Sequence, residues 1–198
     1  MKPHRARTKT LAATMWPARS EAGADAMRAV LLALVGSLVV AVSAQIQVPM
    51  YPVPMTMQPF AVLAIGAAYG ARLGAATLLL YMAEGALGLP VFAGMKGGAA
   101  MLVGPTAGYI VGFVLAAGAV GWLAERRWDR NVLSTIAAMT IGMALIYIPG
   151  VGWLAGLIGT EKAIAAGMVP FLVGDAVKIA LAALALPGAW WLIGRGRG

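Results

Sequence analysis

The sequence predicts an all-α integral membrane protein of six transmembrane helices, with the N- and C-termini on the cytoplasmic side. Three observations predict it: a large apolar excess, apolar runs of spanning length, and basic residues gathered on one side of those runs. Of the 198 residues, 61% are hydrophobic and 11% charged, with a mean hydropathy of +0.85. Soluble domains are about 45–50% apolar and about 25% charged. A helix crossing the bilayer takes about 20 apolar residues, so this length accommodates roughly six spans with short connections and no separate soluble domain.

Residues 1–26 are basic, carry no long apolar run, and read as a mostly disordered cytoplasmic extension preceding a membrane domain over 27–198. Met27 is a second candidate start. Span one runs from about Met27 to Val48. Val42-Ser43-Ala44 resembles a signal-peptide cleavage site, but the apolar stretch before it is long, so a retained span is expected. The run Pro49, Pro52, Pro54 and Pro59 breaks helices and makes an ordered loop. Span two, about Phe60 to Ala71, is short for a crossing. Span three covers about Arg72 to Leu89, followed by a connection holding Gly94, Lys96, Gly97 and Gly98. Span four is about Pro105 to Leu123, ended by the charged run Glu125 to Arg130. Span five is about Val132 to Ile148. Pro149 to Gly167 reads as a re-entrant or interfacial stretch before span six, about Val169 to Ile193.

Alternating these six spans puts twelve of the fifteen Lys and Arg residues on one side. Only Lys96 and Lys162 fall on the other, and Lys178 lies within a span. The enriched side is assigned to the cytoplasm. The same distribution argues against a nucleic-acid partner, because the cations flank apolar runs and do not form one face. Small residues repeat every four positions at Gly66, Gly70 and Gly74, and at Gly104, Gly108, Gly112 and Ala116. Such ladders let helices approach closely, within the monomer or against another subunit.

Several kinds of chemistry lack their residues. There is no cysteine, and the single histidine, His4, is in the tail, so no zinc site or thiol chemistry is expected. No phosphate-binding loop, nucleophile elbow or HExxH motif occurs. Asp175 is the sole aspartate within a span, which argues against an intramembrane aspartyl protease. The reading is a non-enzyme without cofactor.

Charges inside spans are costly and therefore informative. Asp175 and Lys178, three residues apart, share a helix face. They either neutralise one another or form the polar floor of an apolar pocket. Glu84 shares a face with Tyr81, and either lines the same cavity or pairs with Lys178 or Lys96. Met50, Met55 and Met57 suit an adaptable apolar lid or plain interfacial packing.

Six segments, in order, are similar to the biotin-specific S component (BioY family) of energy-coupling factor (ECF) transporters. They are Gln45-Ile-Gln-Val-Pro49, Val53 to Gln58, Gly70-Ala-Arg-Leu-Gly74, Tyr81 to Ala93, Gly104-Pro-Thr-Ala-Gly-Tyr109, and Pro170 to Lys178. The resemblance covers about Met27 to the end of span six. It implies the six-helix S-component fold, a multi-pass protein of the bacterial inner membrane, and biotin capture from outside. It also implies partners, namely a transmembrane coupling subunit and two ABC ATPase subunits. On this resemblance Asp175 meets a ureido N–H of biotin and Lys178 a biotin oxygen. Tyr81, Glu84, Gln58 and Phe92 complete the site, beneath the loops around Val53 to Gln58 and Pro90 to Gly98. Ala29 and Ala33 match an Ala-x-x-x-Ala pattern that packs on the coupling subunit. Two departures stand out: Ala107 replaces a common glycine, and Glu84 a small or apolar residue. An S component for another vitamin and a non-transporting assembly subunit are the alternative readings.

Overall fold

The computed structural model describes residues 9–17 and 22–195. Lys2, Arg5, Arg7, Arg19 and Arg197, counted in the charge asymmetry, lie outside the described residues. The helices are α1 (Leu11–Met15), α2 (Ala22–Gln45), α3 (Gln58–Tyr69), α4 (Ala71–Ala86), α5 (Ala107–Ala124), α6 (Val132–Ile158), α7 (Thr160–Gly167) and α8 (Leu172–Arg195). A two-stranded hairpin, β1 (Gln47–Val48) and β2 (Met55–Thr56), pairs Gln47 with Thr56 and Val48 with Met55. It closes the Pro-rich loop that the sequence marks as ordered.

Among the described residues, four stretches are long and apolar enough to cross a membrane: Gly23–Gln45, Ala107–Ala124, Val132–Ile158 and Thr160–Ile193. The last includes α7 and α8. With 12 and 16 residues, α3 and α4 extend about 18 and 24 Å, short of a hydrocarbon core of about 30 Å.

Two expectations differ from what is observed. First, residues 9–17 are not plain extension. Thr10 caps α1 by accepting from Ala13 N–H, and Leu11 and Thr14 are buried where α1 meets α3. Arg28 holds the segment to α2, donating from Nε to the Trp16 carbonyl at 2.6 Å and from Nη2 to Ala12 at 3.3 Å. A short helix leaves its last carbonyls open; the guanidinium satisfies that of Trp16 and adds a second bond to that of Ala12, which already accepts the Trp16 N–H. Accordingly α2 starts at Ala22, not near Met27. Second, Pro149 does not end span five. Helix α6 runs through it to Ile158 and turns at Gly159, at φ +87°, into α7. Proline inside a membrane helix is tolerated where neighbouring helices compensate the freed backbone. Here α5 lies close against that turn.

The glycine ladders lie at helix contacts within the chain. A Cβ on Gly66 would stand 2.6 Å from the Ala117 carbonyl oxygen, and one on Gly108 2.2 Å from that of Pro149. A Cβ on Gly112 would stand 2.8 Å from the Ile146 backbone of α6. Helix α5 is thereby pressed between α3 and α6, with Ala116, Ala117 and Val120 buried at the centre of the core. Close backbone approach is how helices associate in lipid, where burial of apolar area offers no driving force.

The α3–α4 and α5–α6 connections meet the ends of α1 and α8 at one end of the bundle. Glu125 Oε1 accepts from Ala71 N–H at 3.0 Å, a carboxylate at the N-terminus of α4. Trp190 Nε1 donates to Asp129 Oδ2 at 2.6 Å, and the Arg130 guanidinium lies 3.9 Å from the centre of the Trp190 ring. Burial pushes the Asp129 carboxyl above the usual aspartate range, against the Trp190 N–H, its own backbone amide and Arg130. Burial, and then the nearby Arg127, lower Arg130.

Candidate ligand cavity and family

The opposite end of the bundle encloses a cavity of about 470 Å³, within the size range of small-molecule sites. The hairpin loop Pro49–Pro54 and the segment 92–96 cover it, and α3, α4, α5, α6 and α8 supply its walls and floor.

The floor is polar. Asp175, at the first turn of α8, accepts from Lys178 Nζ through Oδ1 at 2.8 Å. Its Oδ2 accepts a very short hydrogen bond from the Tyr147 hydroxyl of α6. Both Asp175 and Lys178 are 5% exposed. A buried ion pair is tolerated when geometry is close and the remaining lone pairs are satisfied. Tyr147 supplies that extra bond, and its ring meets Tyr109 edge-to-face at 6.5 Å. The Tyr109 hydroxyl is itself held by the Gly167 carbonyl at 2.7 Å.

The facing wall is a second polar cluster. Gln58 opens α3 and donates from Nε2 to the Tyr81 hydroxyl at 2.7 Å, and Tyr81 donates onward to the Val91 carbonyl at 3.0 Å. Thr56 of β2 accepts from Gln58 N–H and donates to its Oε1. Phe92 packs edge-on against Tyr81 at 5.5 Å, over Gly85, where a Cβ would fall 2.1 Å from the Phe92 ring. Only a residue without a side chain lets the ring lie down on α4 there.

The mouth loop is fastened from α2. Gln45 donates from Nε2 to the carbonyls of Phe92 at 3.1 Å and Ala41 at 3.2 Å, and accepts from Met95 N–H at 3.0 Å. Of the lid methionines, Met50 lines the cavity and Met55 packs beside Gly174 at the start of α8.

The structure thus brings five of the expected site residues, Gln58, Tyr81, Phe92, Asp175 and Lys178, to one cavity. Glu84 is not among them. It turns toward α2, where the buried Ser37 hydroxyl donates to its carboxylate in a very short bond. Neither Lys96 nor Lys178 pairs with it, because helical spacing places Glu84 on the α2-facing side of α4. Ala29 and Ala33 are half-buried on the same stripe of α2 as Ser37, Val40 and Ala44. Tyr147 escaped the sequence reading. A lone tyrosine in an apolar span was the available signal, since its buried hydroxyl needs a partner.

Fold and site together define a multi-pass helical membrane protein with a small-molecule cavity at one end of the bundle. Residues 10–195 match the BioY family. A probable biotin transporter BioY of Pyrococcus horikoshii is 42% identical over 139 residues, 70% of this chain and 82% of the relative. The biotin transporter BioY of Thermotoga maritima is 40% identical over 154 residues, 77% and 90% of the two chains. The chain belongs to the BioY family, as its six motif segments indicated. Its fold is similar to the crystal structure of the S component for biotin from an ECF-type ABC transporter. The TM-score is 0.73 at 20% identity, covering 85% of this chain and 93% of the other.

Proposed function

We infer that this chain is a biotin-binding S component that captures biotin outside the cell and delivers it inward with a coupling subunit and two ABC ATPases. The observation that carries this reading is the buried Asp175–Lys178–Tyr147 network at the floor of a cavity whose facing wall is the Gln58–Tyr81 cluster, in a chain of the BioY family. Biotin presents two ureido N–H donors, a carbonyl, a thioether ring and a carboxylate on an alkyl tail. A carboxylate has about four lone-pair sites, so Asp175 retains acceptor capacity for a ureido N–H after binding Lys178 and Tyr147. Lys178, with three donors, has capacity left for the ureido carbonyl. Tyr81, Gln58 and Phe92 shape the wall against the fused rings. Glu84 stays outside this site.

Six spans, α2 to α6 and α8, with both termini in the cytoplasm of a bacterial cell and the cavity facing outward, fit the asymmetry of Lys and Arg. The membrane domain begins with α2, and α1 lies under its cytoplasmic end. Ala29 and Ala33, half-buried on α2, are the small residues assigned by the family resemblance to contact with the coupling subunit.

Calorimetry on the detergent-purified chain tests the reading, with biotin beside a panel of other vitamins. Tight biotin binding, lost in Asp175→Ala and Lys178→Ala, is the expected result. Binding of a different vitamin would redirect the assignment. A folded chain that binds none, and stays functional as the double variant, would leave the ion pair a purely structural bridge.

A further inference from the structure

We propose that Arg126 and Arg127, in the connection between α5 and α6, hold the phosphate of an acidic phospholipid from the surrounding bilayer. This site lies at the end of the bundle away from the ligand cavity and is independent of what the cavity binds. It rests on the membrane setting of the chain, with this connection flanking the bilayer.

The connection sorts its charges. Within the six residues Glu125 to Arg130, both acids turn into the protein. Glu125 accepts from Ala71 N–H, and Asp129 is 2% exposed beside Trp190. Arg126 and Arg127 are exposed, and neither forms an ion pair among the described residues. Arg130 is close enough to Arg127 for the two charges to repel, and its Nε is buried with no hydrogen-bond partner among the described residues. Cations gathered at the surface, with the acids withdrawn, complement an anion.

Arg126 is held at the depth of a headgroup. Its guanidinium stacks 3.4 Å from the centre of the Trp122 ring, and Nη1 donates to the Trp122 carbonyl at 2.8 Å. Trp122 is exposed near the end of the spanning stretch Ala107–Ala124, and tryptophan rings settle at the membrane–water interface. Stacking occupies the face of the guanidinium, so the other N–H groups around its edge stay available to a phosphate.

Arg127 points the same way independently. Helix α5 ends in a Schellman turn, with Trp128 N–H on the Leu123 carbonyl at 3.2 Å and Arg127 N–H on that of Ala124 at 2.8 Å. The left-handed residue of this turn is Arg127, with φ +72°. Glycine is the usual occupant, because a Cβ there is crowded by the following carbonyl. The helix dipole favours a cation anywhere in the last turn, so it does not account for an arginine at the strained position. What the strain secures is a second exposed cation next to Arg126.

Native mass spectrometry of the full-length protein in detergent, titrated with phosphatidylglycerol or phosphatidylcholine, provides the test. The wild type should bind phosphatidylglycerol more tightly. Arg126→Ala and Arg127→Ala should each weaken it roughly fivefold and leave phosphatidylcholine unchanged. Lys9→Ala, which removes a cation from the same end but outside the connection, should change neither. Arg127→Gly should weaken phosphatidylglycerol as Arg127→Ala does, yet melt about 2–4 °C above the wild type in lipid-free detergent, because the turn is relieved. A wild type indifferent to the headgroup, or an equal loss in Lys9→Ala, would overturn the site and leave its cations as general surface charge. An Arg127→Gly variant that melts below the wild type would make the arginine a structural part of the turn and overturn its role toward lipid. Ammonium phosphate that displaces the lipid mole for mole would replace the lipid by a soluble anion as the partner.

Discussion

Two buried aspartates, one at each end of the bundle, are treated differently by their surroundings. At the cavity floor Asp175 has a donor on each oxygen, Lys178 on one and Tyr147 on the other. At the opposite end, Asp129 takes the Trp190 N–H on Oδ2, while its Oδ1 is buried with no hydrogen-bond partner among the described residues. Arg130 sits over the Trp190 ring and reaches the Lys9 carbonyl. One aspartate is the hub of a charge-balanced network with spare bonding capacity. The other is an incompletely solvated clamp between the α5–α6 connection and α8. Burial alone does not mark a binding residue; what distinguishes Asp175 is that its neighbours face an open cavity.

The largest effect should follow from Lys178→Ala, which strands the Asp175 charge in the bundle. A loss of about 3–5 kcal/mol of stability is expected, with loss of ligand binding, read by thermal unfolding in detergent and by calorimetry. Replacing both members, Asp175→Asn with Lys178→Met, should recover most of that stability without recovering binding. Tyr147→Phe removes one of the two donors and should cost about 1–3 kcal/mol, with roughly tenfold weaker ligand binding.

The smallest effect belongs to Asp129→Asn, and it should depend on pH. Since the folded-state pKa is raised, the folded protein holds its proton more tightly than the unfolded chain. Stability from this site is therefore present at low pH and falls as pH rises from the ordinary aspartate value through the folded one. The asparagine variant lacks that fall, so its stability relative to wild type should climb between acid and neutral pH, with ligand affinity unchanged. Parallel unfolding profiles of the two proteins across that window would contradict the contrast between the ends.

Spacing made the cavity floor legible, since Asp175 and Lys178 three apart on a helix must share a face. Gln58, Tyr81 and Phe92 entered through motif resemblance, and the structure joins them by hydrogen bonds and ring packing that no local pattern specifies. Glu84 went astray because sharing a face with Tyr81 over one turn does not say which of two neighbours each side chain meets. Tyr81 turns to Gln58 of α3, and Glu84 to Ser37 of α2. Pro149 misled because a proline that would end a helix in a soluble protein is tolerated within a membrane helix packed against its neighbours, and here Gly108 admits α5 against the proline carbonyl. The helix at Leu11–Met15 was hidden for the opposite reason: much of its anchoring comes from Arg28 in another helix.

The Gln45 amide has a mechanical consequence. Its bonds to Ala41, Phe92 and Met95 weld the last turn of α2 to the rim of the cavity. The rest of α2 presents a long apolar flank that includes Val30, Leu34, Leu38 and Val42. Anything that rolls or tilts that flank acts through a lever whose short arm is the roof over the ligand. Phe92 cannot keep its seat on Gly85 while the end of α2 moves away, unless the weld breaks first. Grip on the cargo and the pose of α2 are thus a single mechanical variable, set by one side-chain amide.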